Sequence, residues 1–577
     1  MTGIRVKIVA GAAGLLMSSS SLLALVPPAL DRVPGDAAAV FVVPSLSKLG
    51  EAFRQMSEQF NLPMQGDGGP GRLLEMLEWP GVDANGSAAM AIIGEGEALD
   101  FGGSEGPVVA IIPVTDYSAF ITRLGGKGGG LERVEIDGDD VFVKDLGGGF
   151  AALGPVEEIV AGFTGTAGQG KAHEARAGAA AARMLERDDM VILFNMDKLR
   201  STLNDAMDGA AQQAEMMGQG EALAGIAAFG KGMVADSEAG ALGMDFGEQG
   251  LVVNLSSQFK PGSKWASYAN VKSNSGALLS RLPSKPFLLA MAMDMSSPVL
   301  KGLFKDGMAA LGQDGGAAER NVILATLDNS DGFAMVIGTS PAGLMGGGLF
   351  LNSSSYVQTK DARGYLASVK QLYTEMNGKT LEGVTYQTVY KTAAADVGGK
   401  KVDEWSMRMR MDPGAENAAQ AQQMQMMLFG PTGGPSGYLA PAGNGVVMTY
   451  GKTSAVMQEA MQAAAGGAGL STDGGVAAVA GRLPSDRVFE AFIGVKGIMD
   501  MVMPFMGMMM GPVEFEVPAS LSPVGVGGSA TGGGMHISLV VPADVLAMVR
   551  DLGAAMQGGM GDFDGMDGED GAGQPRF

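Results

Sequence analysis

The chain has 577 residues, 46% of them hydrophobic, which is more than one core can organise and predicts about two to four domains. Its formal net charge of −22 makes nucleic acid and anionic membrane surfaces poor partners, since both are bound by clustered cations. The absence of Cys excludes disulfides, thiolate metal sites and thiol nucleophiles, and only two His remain for imidazole chemistry.

Residues 1–29 have the composition of a secretory signal. Arg5 and Lys7 give a cationic start, residues 8–26 form an apolar run, and a proline pair follows. We therefore expect export to the periplasm or cell envelope. Because no clean small-x-small cleavage site follows, an alternative is that residues 8–26 remain as an N-terminal anchor, the single membrane attachment that the sequence predicts. A buried first helix is a further alternative.

Short strands and helices alternate from residue 30 to residue 275. Asp116 is placed to cap a helix that buries Phe120 and Ile121 on one face. A tight hairpin is predicted around Asp137-Gly138. Leu46 and Leu49 open a helical repeat of apolar residues. Further strands are predicted at residues 37–43, 87–94, 108–114, 150–153, 190–196, 242–246 and 251–255.

A four-residue element that launches an apolar run occurs four times. The copy at 483–486 (Leu-Pro-Ser-Asp) precedes the run 488–495, and the others begin at Val33, Leu185 and Leu282. The elements after Leu282 repeat the order of those after Val33, so we expect residues 30–275 and 276–550 to be two tandem homologous halves. Coincidence among generic strand and helix units is the alternative.

The expected fold class is α+β, with each half a mainly antiparallel sheet that carries helices on one face. The second half is longer, and Gln, Ala, Met and Gly replace any strand pattern near residues 412–437. We expect an insertion there, either partly helical or a mobile loop. Residues 551–577 alternate Gly, Met and Asp, which predicts a disordered acidic tail.

Methionine is the chemically unusual feature, with 42 residues in the chain. Three interpretations of its densest cluster are open: biased core packing, as expected at Met90, Met190 and Met335; an adaptable apolar groove; and a Cu(I) site. The residues that would line a groove for an apolar ligand are Met499, Met503, Met506 and Met510. The whole cluster comprises Met499, Met501, Met503, Met506, Met508, Met509 and Met510.

Other reactive side chains have structural explanations. We expect His173 to be an exposed helix residue and His536 to be a hydrogen-bonded strand residue, since neither belongs to a hydrolase motif. The acidic group Asp137, Asp139 and Asp140 is expected at a hairpin turn. No catalytic residue, metal ligand or cofactor is therefore predicted.

The start of the expected mature chain resembles a known family. The segment that ends in Pro44-Ser45-Leu46-Ser47-Lys48-Leu49 is similar to a bacterial exported family of unknown function, whose mature part opens with a Leu-Pro-x-Asp-Thr-like motif. Val33, Gly35 and Ala37 depart from that motif. The resemblance implies a cell-envelope setting and brings no catalytic residues.

These observations favour an exported, non-enzymatic binding or structural module of the cell envelope. The alternative is a periplasmic carrier of a lipid or other apolar ligand in a methionine-lined groove. A carboxylate-dependent hydrolase ranks third. An apolar ligand or an envelope protein is the expected partner, and the sequence leaves the oligomeric state open.

Overall fold

The computed structural model describes residues 26–60, 70–94, 107–136, 138–216, 230–310, 324, 326–340, 348–381, 384–411, 418–510 and 515–560. The chain divides into two compact units. The first comprises Met1–Ala52, Gln65–Leu199 and Glu238–Asp245, and the second comprises Phe53–Met64, Arg200–Ser237 and Phe246–Phe577.

Eight strands precede residue 248, and together they form the sheet of the first unit. They are β1 (Ala39–Val43), β2 (Ala88–Ile92), β3 (Val108–Pro113), β4 (Leu131–Ile136), β5 (Asp139–Asp145), β6 (Phe150–Gly154), β7 (Met190–Asn195) and β8 (Ser237–Gly247). All pairings are antiparallel, in the order β8-β7-β1-β2-β3-β6-β5-β4. The helices of this part of the chain are α1 (Leu46–Phe60), α2 (Pro70–Leu77), α3 (Tyr117–Arg123), α4 (Glu157–Gly162), α5 (Gly170–Arg187) and α6 (Met196–Met216).

The second unit contains a longer antiparallel sheet. Its strands are β9 (Gly250–Phe259), β10 (Phe287–Met293), β11 (Gly332–Gly338), β12 (Ser353–Gln358), β13 (Thr380–Leu381), β14 (Val384–Val397), β15 (Lys400–Met411), β16 (Ser436–Ala442), β17 (Gly445–Thr449), β18 (Arg487–Ile493), β19 (Val524–Thr531) and β20 (Gly534–Pro542). Their order is β9-β20-β19-β18-β10-β11-β12-β17-β16-β15-β14-β13. The helices are α7 (Lys264–Tyr268), α8 (Gly276–Leu279), α9 (Pro298–Ala310), α10 (Ala362–Met376), α11 (Ala418–Phe429), α12 (Ser454–Ala464), α13 (Gly474–Ala480), α14 (Val495–Met510) and α15 (Ala543–Met560).

The mixed helix and strand class with antiparallel pairing is confirmed. Short apolar runs formed strands where they were expected, as at β1, because β-branched and aromatic side chains pack well on a pleated surface. Asp116 caps α3 as predicted, and its carboxylate accepts a hydrogen bond from the amide of Ala119 at 3.1 Å. Asp361 caps α10 in the same way through the amide of Gly364 at 2.9 Å.

The helices do not lie on one face of each sheet, so that expectation is wrong. Tyr356 and Val357 are neighbours on β12 and point to opposite faces, yet both are buried in apolar clusters. Helix α12 covers the face of Tyr356, and α10 covers the face of Val357. The first unit follows the same plan, with Ala152 and Ala151 in separate clusters. Strands that are apolar throughout, without polar alternation, require cover on both sides.

Some boundaries differ from those expected. Leu185 does not open a turn. It lies in the last turn of α5, which ends at Arg187 with Asp188 as its C-cap. Residues 246–275, which were expected in the first half, cluster with the second compact unit. Helix α15 continues to Met560 through positions assigned to the acidic tail, and residues 561–577 lie outside the described part.

The extra length of the second half is spread over several elements. Helix α11 lies inside the segment expected as an insertion, while residues 412–417 lie outside the described chain. The neighbouring hairpin strands β14 and β15 have 14 and 12 residues, whereas β4 and β5 have 6 and 7. The segment expected as an insertion is thus partly helical in its described residues.

The Leu-Pro-Ser-Asp element before β18 is held by Arg487, whose side chain is 14% exposed. Arg487 donates from Nη1 to the carbonyl oxygens of Ala480 at 3.1 Å and Pro484 at 2.9 Å. Its Nε lies 2.8 Å from Oε2 of Glu490, close enough for an ion pair although not aligned as a hydrogen bond. The hydroxyl of Ser275 donates to Oε1 of Glu490 at 3.3 Å. The Arg487 guanidinium thus joins this turn to the strand β18 that follows it.

Removing one partner of this pair should destabilise the second unit strongly. Glu490→Ala leaves the Arg487 guanidinium buried without its countercharge, and we expect the free energy of unfolding to fall by about 3–5 kcal/mol. The double change R487M/E490L should restore much of that loss, because no unpaired charge remains. Urea unfolding of the full chain, followed by circular dichroism, measures both effects.

The exposed Lys496 and Asp500 pair on α14 provides the control. Its nitrogen and oxygen atoms are 2.9 Å apart, but solvent screens them, so Asp500→Ala should cost far less. Equal losses for Glu490→Ala and Asp500→Ala would contradict the role given to the buried pair.

Candidate interaction site

The predicted methionine groove lies on α14, and its described part is packed with side chains. Met499 and Met503 belong to one apolar cluster, where they meet Val545 and Met548 of α15. Met499 is buried and Met503 is half-buried. The side chains of Met506 and Met510 lie outside the described residues. The structure therefore brings two of the four predicted residues together, in a packed cluster.

A second group of methionines, missed in the sequence, lies on α11. Met424, Met426 and Met427 are 51%, 57% and 42% exposed. No residue of α11 is buried, and the helix contains no ionisable side chain. Soluble helices normally bury their apolar residues, so three exposed methionines on a helix with no buried residue are unusual. The signal that could have revealed it was an uncharged Ala, Gln and Met run inside an insertion.

The polar residue Gln425 faces the body of the unit. Its Nε2 donates to the carbonyl oxygen of Met409 on β15 at 2.8 Å and to that of Gly433 at 2.6 Å. Both amide hydrogens are thereby used. The side chain that would ordinarily face water anchors the helix, and the adjacent methionines are left outward.

The C-terminal end of α11 is joined to residues 348–350. The amides of Leu349 and Phe350 donate to the carbonyl oxygens of Met427 and Leu428, each at 3.1 Å, and so satisfy acceptors that a helix end leaves open. Gly348 makes this approach with a φ of +99°, and a Cβ there would lie 2.6 Å from the oxygen of Leu428. Only glycine fits this position.

Aromatic rings form the base beneath this junction. Consecutive ring centroids are 5.5–6.2 Å apart, the range of favourable ring packing. Burial raises the pKa of Tyr373, and burial followed by the nearby Asp403 carboxylate raises that of Tyr390, so these phenols stay neutral. The rings follow the order Phe429, Phe350, Tyr450, Trp405, Tyr373 and Tyr390. The base consists mainly of packed rings, and at its far end the Tyr390 hydroxyl donates to Asp403 Oδ2 at 2.5 Å.

Two cations lie on the strand that receives the helix anchor. Arg408 and Arg410 are exposed on β15, and they flank Met409, whose carbonyl binds Gln425. Within the part of the chain that the structure describes, neither guanidinium has a carboxylate partner. The strand to which α11 is anchored therefore carries positive charge without a carboxylate partner among the described residues, in a chain whose net charge is −22.

His173 was expected to be exposed, and that prediction is wrong. The side chain is buried where α5 crosses the turn before β1, and its Nε2 lies 3.1 Å from the carbonyl oxygen of Val33. Arg176 hydrogen-bonds the carbonyl of Gly35 alongside it. Burial lowers the pKa of His173. The adjacent cavity of about 10 Å³ holds no more than one water molecule, so it is not a ligand pocket.

The other reactive groups have structural roles. His536 is confirmed as a hydrogen-bonded strand residue, with Nε2 3.3 Å from Asn254 Oδ1 and 3.2 Å from Ser538 Oγ. Ser538 is buried and donates to Asn254 at 2.7 Å, so its proton is not held by a base as in a catalytic triad.

The acidic group of the first unit lies at a hairpin, as expected. Asp139 begins β5 directly after the turn, and Asp140 pairs with Arg133 across the hairpin. Asp137 lies outside the described residues. Met90 was expected in the core but is 44% exposed, because it occupies the outward position of β2.

No family model matches the chain, and no significant match was found among curated proteins or solved structures. Within the described residues, no helix combines the length and the apolar character needed to cross a membrane. Residues 1–25, which include most of the predicted signal, lie outside that part.

Replacing the anchor should release α11 without unfolding the unit. Gln425→Ala removes both hydrogen bonds to the body, and we expect faster hydrogen exchange at the amides of residues 418–429, with the core strands unchanged. Gln423→Ala on the exposed side of the same helix is the matched control and should leave exchange as it is. Equal exchange in the two variants would show that Gln425 does not hold the helix.

Proposed function

We propose that the protein is an exported, non-enzymatic binding module of the cell envelope, which engages a protein partner through α11. The observation that carries this proposal is the orientation of α11, with Gln425 bound inward and three neighbouring methionines exposed. Clustered exposed apolar side chains mark interaction sites. Flexible thioether side chains suit surfaces that must adapt to an apolar partner.

The partner that fits is an amphipathic protein segment with carboxylates along its polar edge. The outward face of α11 offers apolar contact without charge, and Arg408 and Arg410 provide complementary charge on the adjacent strand. Opposite charges at the rim orient a partner and suppress wrong ones. A lipid surface is disfavoured, because helices that lie in membrane interfaces combine Lys or Arg with Trp, Phe or Leu.

A carrier function through α14 has less support. Met499 and Met503 pack against α15, which uses the thioethers as core rather than as a groove lining. A hydrolase that uses Asp139 and Asp140 is likewise less supported, since Asp140 is engaged by Arg133 on the exposed hairpin.

We also propose that the chain arose by duplication of one α+β unit. Support comes from strand order, since β8-β7-β1-β2-β3-β6 and β19-β18-β10-β11-β12-β17 follow the same path along their sheets. The capping residues Asp116 and Asp361 begin the helix after β3 and after β12, respectively. The same strand order together with the same capping position is unusual for two segments of independent origin.

Partner binding is tested with a labelled amphipathic Leu/Glu peptide and the full chain at about 0.15 M salt, where long-range repulsion is screened. We expect M424Q/M426Q/M427Q to weaken binding by about tenfold or more, because each change replaces apolar contact with a polar amide. R408Q/R410Q should weaken binding of the Leu/Glu peptide more than binding of a Leu/Gln peptide, which has no carboxylates for the two arginines to pair with. Fluorescence anisotropy gives the affinities.

Met90→Gln is the matched control, since Met90 is similarly exposed but lies in the other unit. Equal binding by wild type and the triple variant would contradict the α11 site. If neutral phosphatidylcholine vesicles bind through the same three methionines and the peptide does not, the protein partner is wrong.

Export is tested by fusing residues 1–29 to alkaline phosphatase that lacks its own signal. The enzyme needs disulfides, which form in the oxidising periplasm, so we expect activity from the fusion. Leu15→Arg with Leu16→Arg interrupts the apolar run and should abolish activity. An intact but inactive wild-type fusion would contradict export.

A further inference from the structure

The methionines of α11 are much more exposed to solvent than those of α12. Met424, Met426 and Met427 are 42–57% exposed, whereas Met457 and Met461 on α12 are buried. Three accessible thioethers thus lie within four consecutive positions. The chain has no Cys, so no thiol competes with methionine for an oxidant.

We propose that Met424, Met426 and Met427 form an oxidation-sensitive modification site, at which peroxide converts the apolar surface of α11 into a polar one. The consequence for partner binding rests on the function proposed above. The modification itself rests only on the exposure and clustering of the thioethers.

The chemistry is a two-electron oxygen transfer. A sulfur lone pair attacks one oxygen of hydrogen peroxide, and the S–O bond forms as the O–O bond breaks. The departing hydroxide takes the proton from the transferred oxygen and leaves as water. Methionine is oxidised to the sulfoxide and peroxide is reduced. The reaction is reversible through methionine sulfoxide reductases, which take two electrons from a thiol reductant.

The geometry keeps the change local. Gln425 holds the helix through amide hydrogen bonds to Met409 and Gly433, and oxidation at sulfur breaks neither of them. The three methionines are not in the core, so their sulfoxides create no buried polar group. Oxidation of Met457 or Met461 would place a polar sulfoxide inside the main apolar cluster of the second unit. The surface can therefore change its polarity while the fold is kept.

Arg408 and Arg410 are not altered by the modification. Both guanidinium groups are exposed on the strand that carries the helix anchor, and peroxide leaves their charge unchanged. Oxidation therefore changes the polarity of α11 and keeps the charge of β15, so a loss of binding reports the apolar contact.

The test treats the purified full chain with limiting hydrogen peroxide and follows sulfoxide formation by peptide mass spectrometry. We expect the α11 methionines to react about tenfold faster than Met457 and Met461, in keeping with the dependence of oxidation on exposure. Met90, with 44% exposure, calibrates the effect of access alone. Retention on a phenyl column should fall as α11 is oxidised and return after treatment with the reductase.

The variant M424L/M426L/M427L separates this site from oxidation elsewhere. Leucine keeps the surface apolar but has no sulfur, so peroxide should leave its column retention and its binding of the Leu/Glu peptide unchanged. M424Q/M426Q/M427Q should resemble the oxidised wild type before any treatment. These two variants leave the anchor Gln425 intact.

Two results would overturn the proposal: reaction of the α11 methionines no faster than that of Met457, or equal loss of retention in the wild type and the leucine variant. If the peptide fails to bind before peroxide is added, the proposed function fails. Mass spectrometry and column retention then still decide whether the modification site is correct.

Discussion

The sheet of each unit has two apolar faces, and this constraint determines where the helices go. Adjacent residues such as Tyr356 and Val357 are both buried, so each face must be kept from water by a different helix. Helices α10 and α12 are used in this way. Helix α11 is not, since it buries no residue and is attached by one amide side chain and its C-terminal end.

This difference explains why much of the fold could be predicted and the candidate site could not. Apolar runs such as the one in β1 and the capping position of Asp116 are local signals, and both gave the correct element. The placement of helices on both faces depends on long-range packing, although the lack of polar alternation in strands such as β3 was a usable sign. The burial of His173 also depends on a distant turn, near Val33, which its polar neighbours do not reveal.

Methionine is the residue for which sequence reasoning was least able to separate core from surface. The densest cluster, on α14, contributes Met499 and Met503 to a packed cluster. The sparser set on α11 is exposed. Both segments are rich in methionine, and the deciding feature is which side chain the helix turns inward. On α11 that side chain is Gln425, because backbone carbonyls of β15 and its neighbouring loop are there to receive it.

Under the duplication proposed above, the two units differ at one equivalent strand position. Val191 pairs with Val42 between β7 and β1, and Glu490 pairs with Ala292 between β18 and β10. A plain apolar contact at one place corresponds to a buried ion pair at the other. The ion pair is therefore not a requirement of the strand arrangement. The arginine of this pair also hydrogen-bonds the carbonyl oxygens of the turn before β18.

The charge of the chain also affects how the α11 surface behaves in concentrated solution. With a formal net charge of −22, copies of the protein repel one another at low ionic strength, which keeps their uncharged methionine faces apart. Added salt shortens the range of this repulsion to about 8 Å at physiological strength and further beyond it, while apolar attraction is not screened. The balance between colloidal stability and self-association thus depends on the ionic strength of the surroundings, and dilute, low-salt buffer is the condition that keeps the protein dispersed.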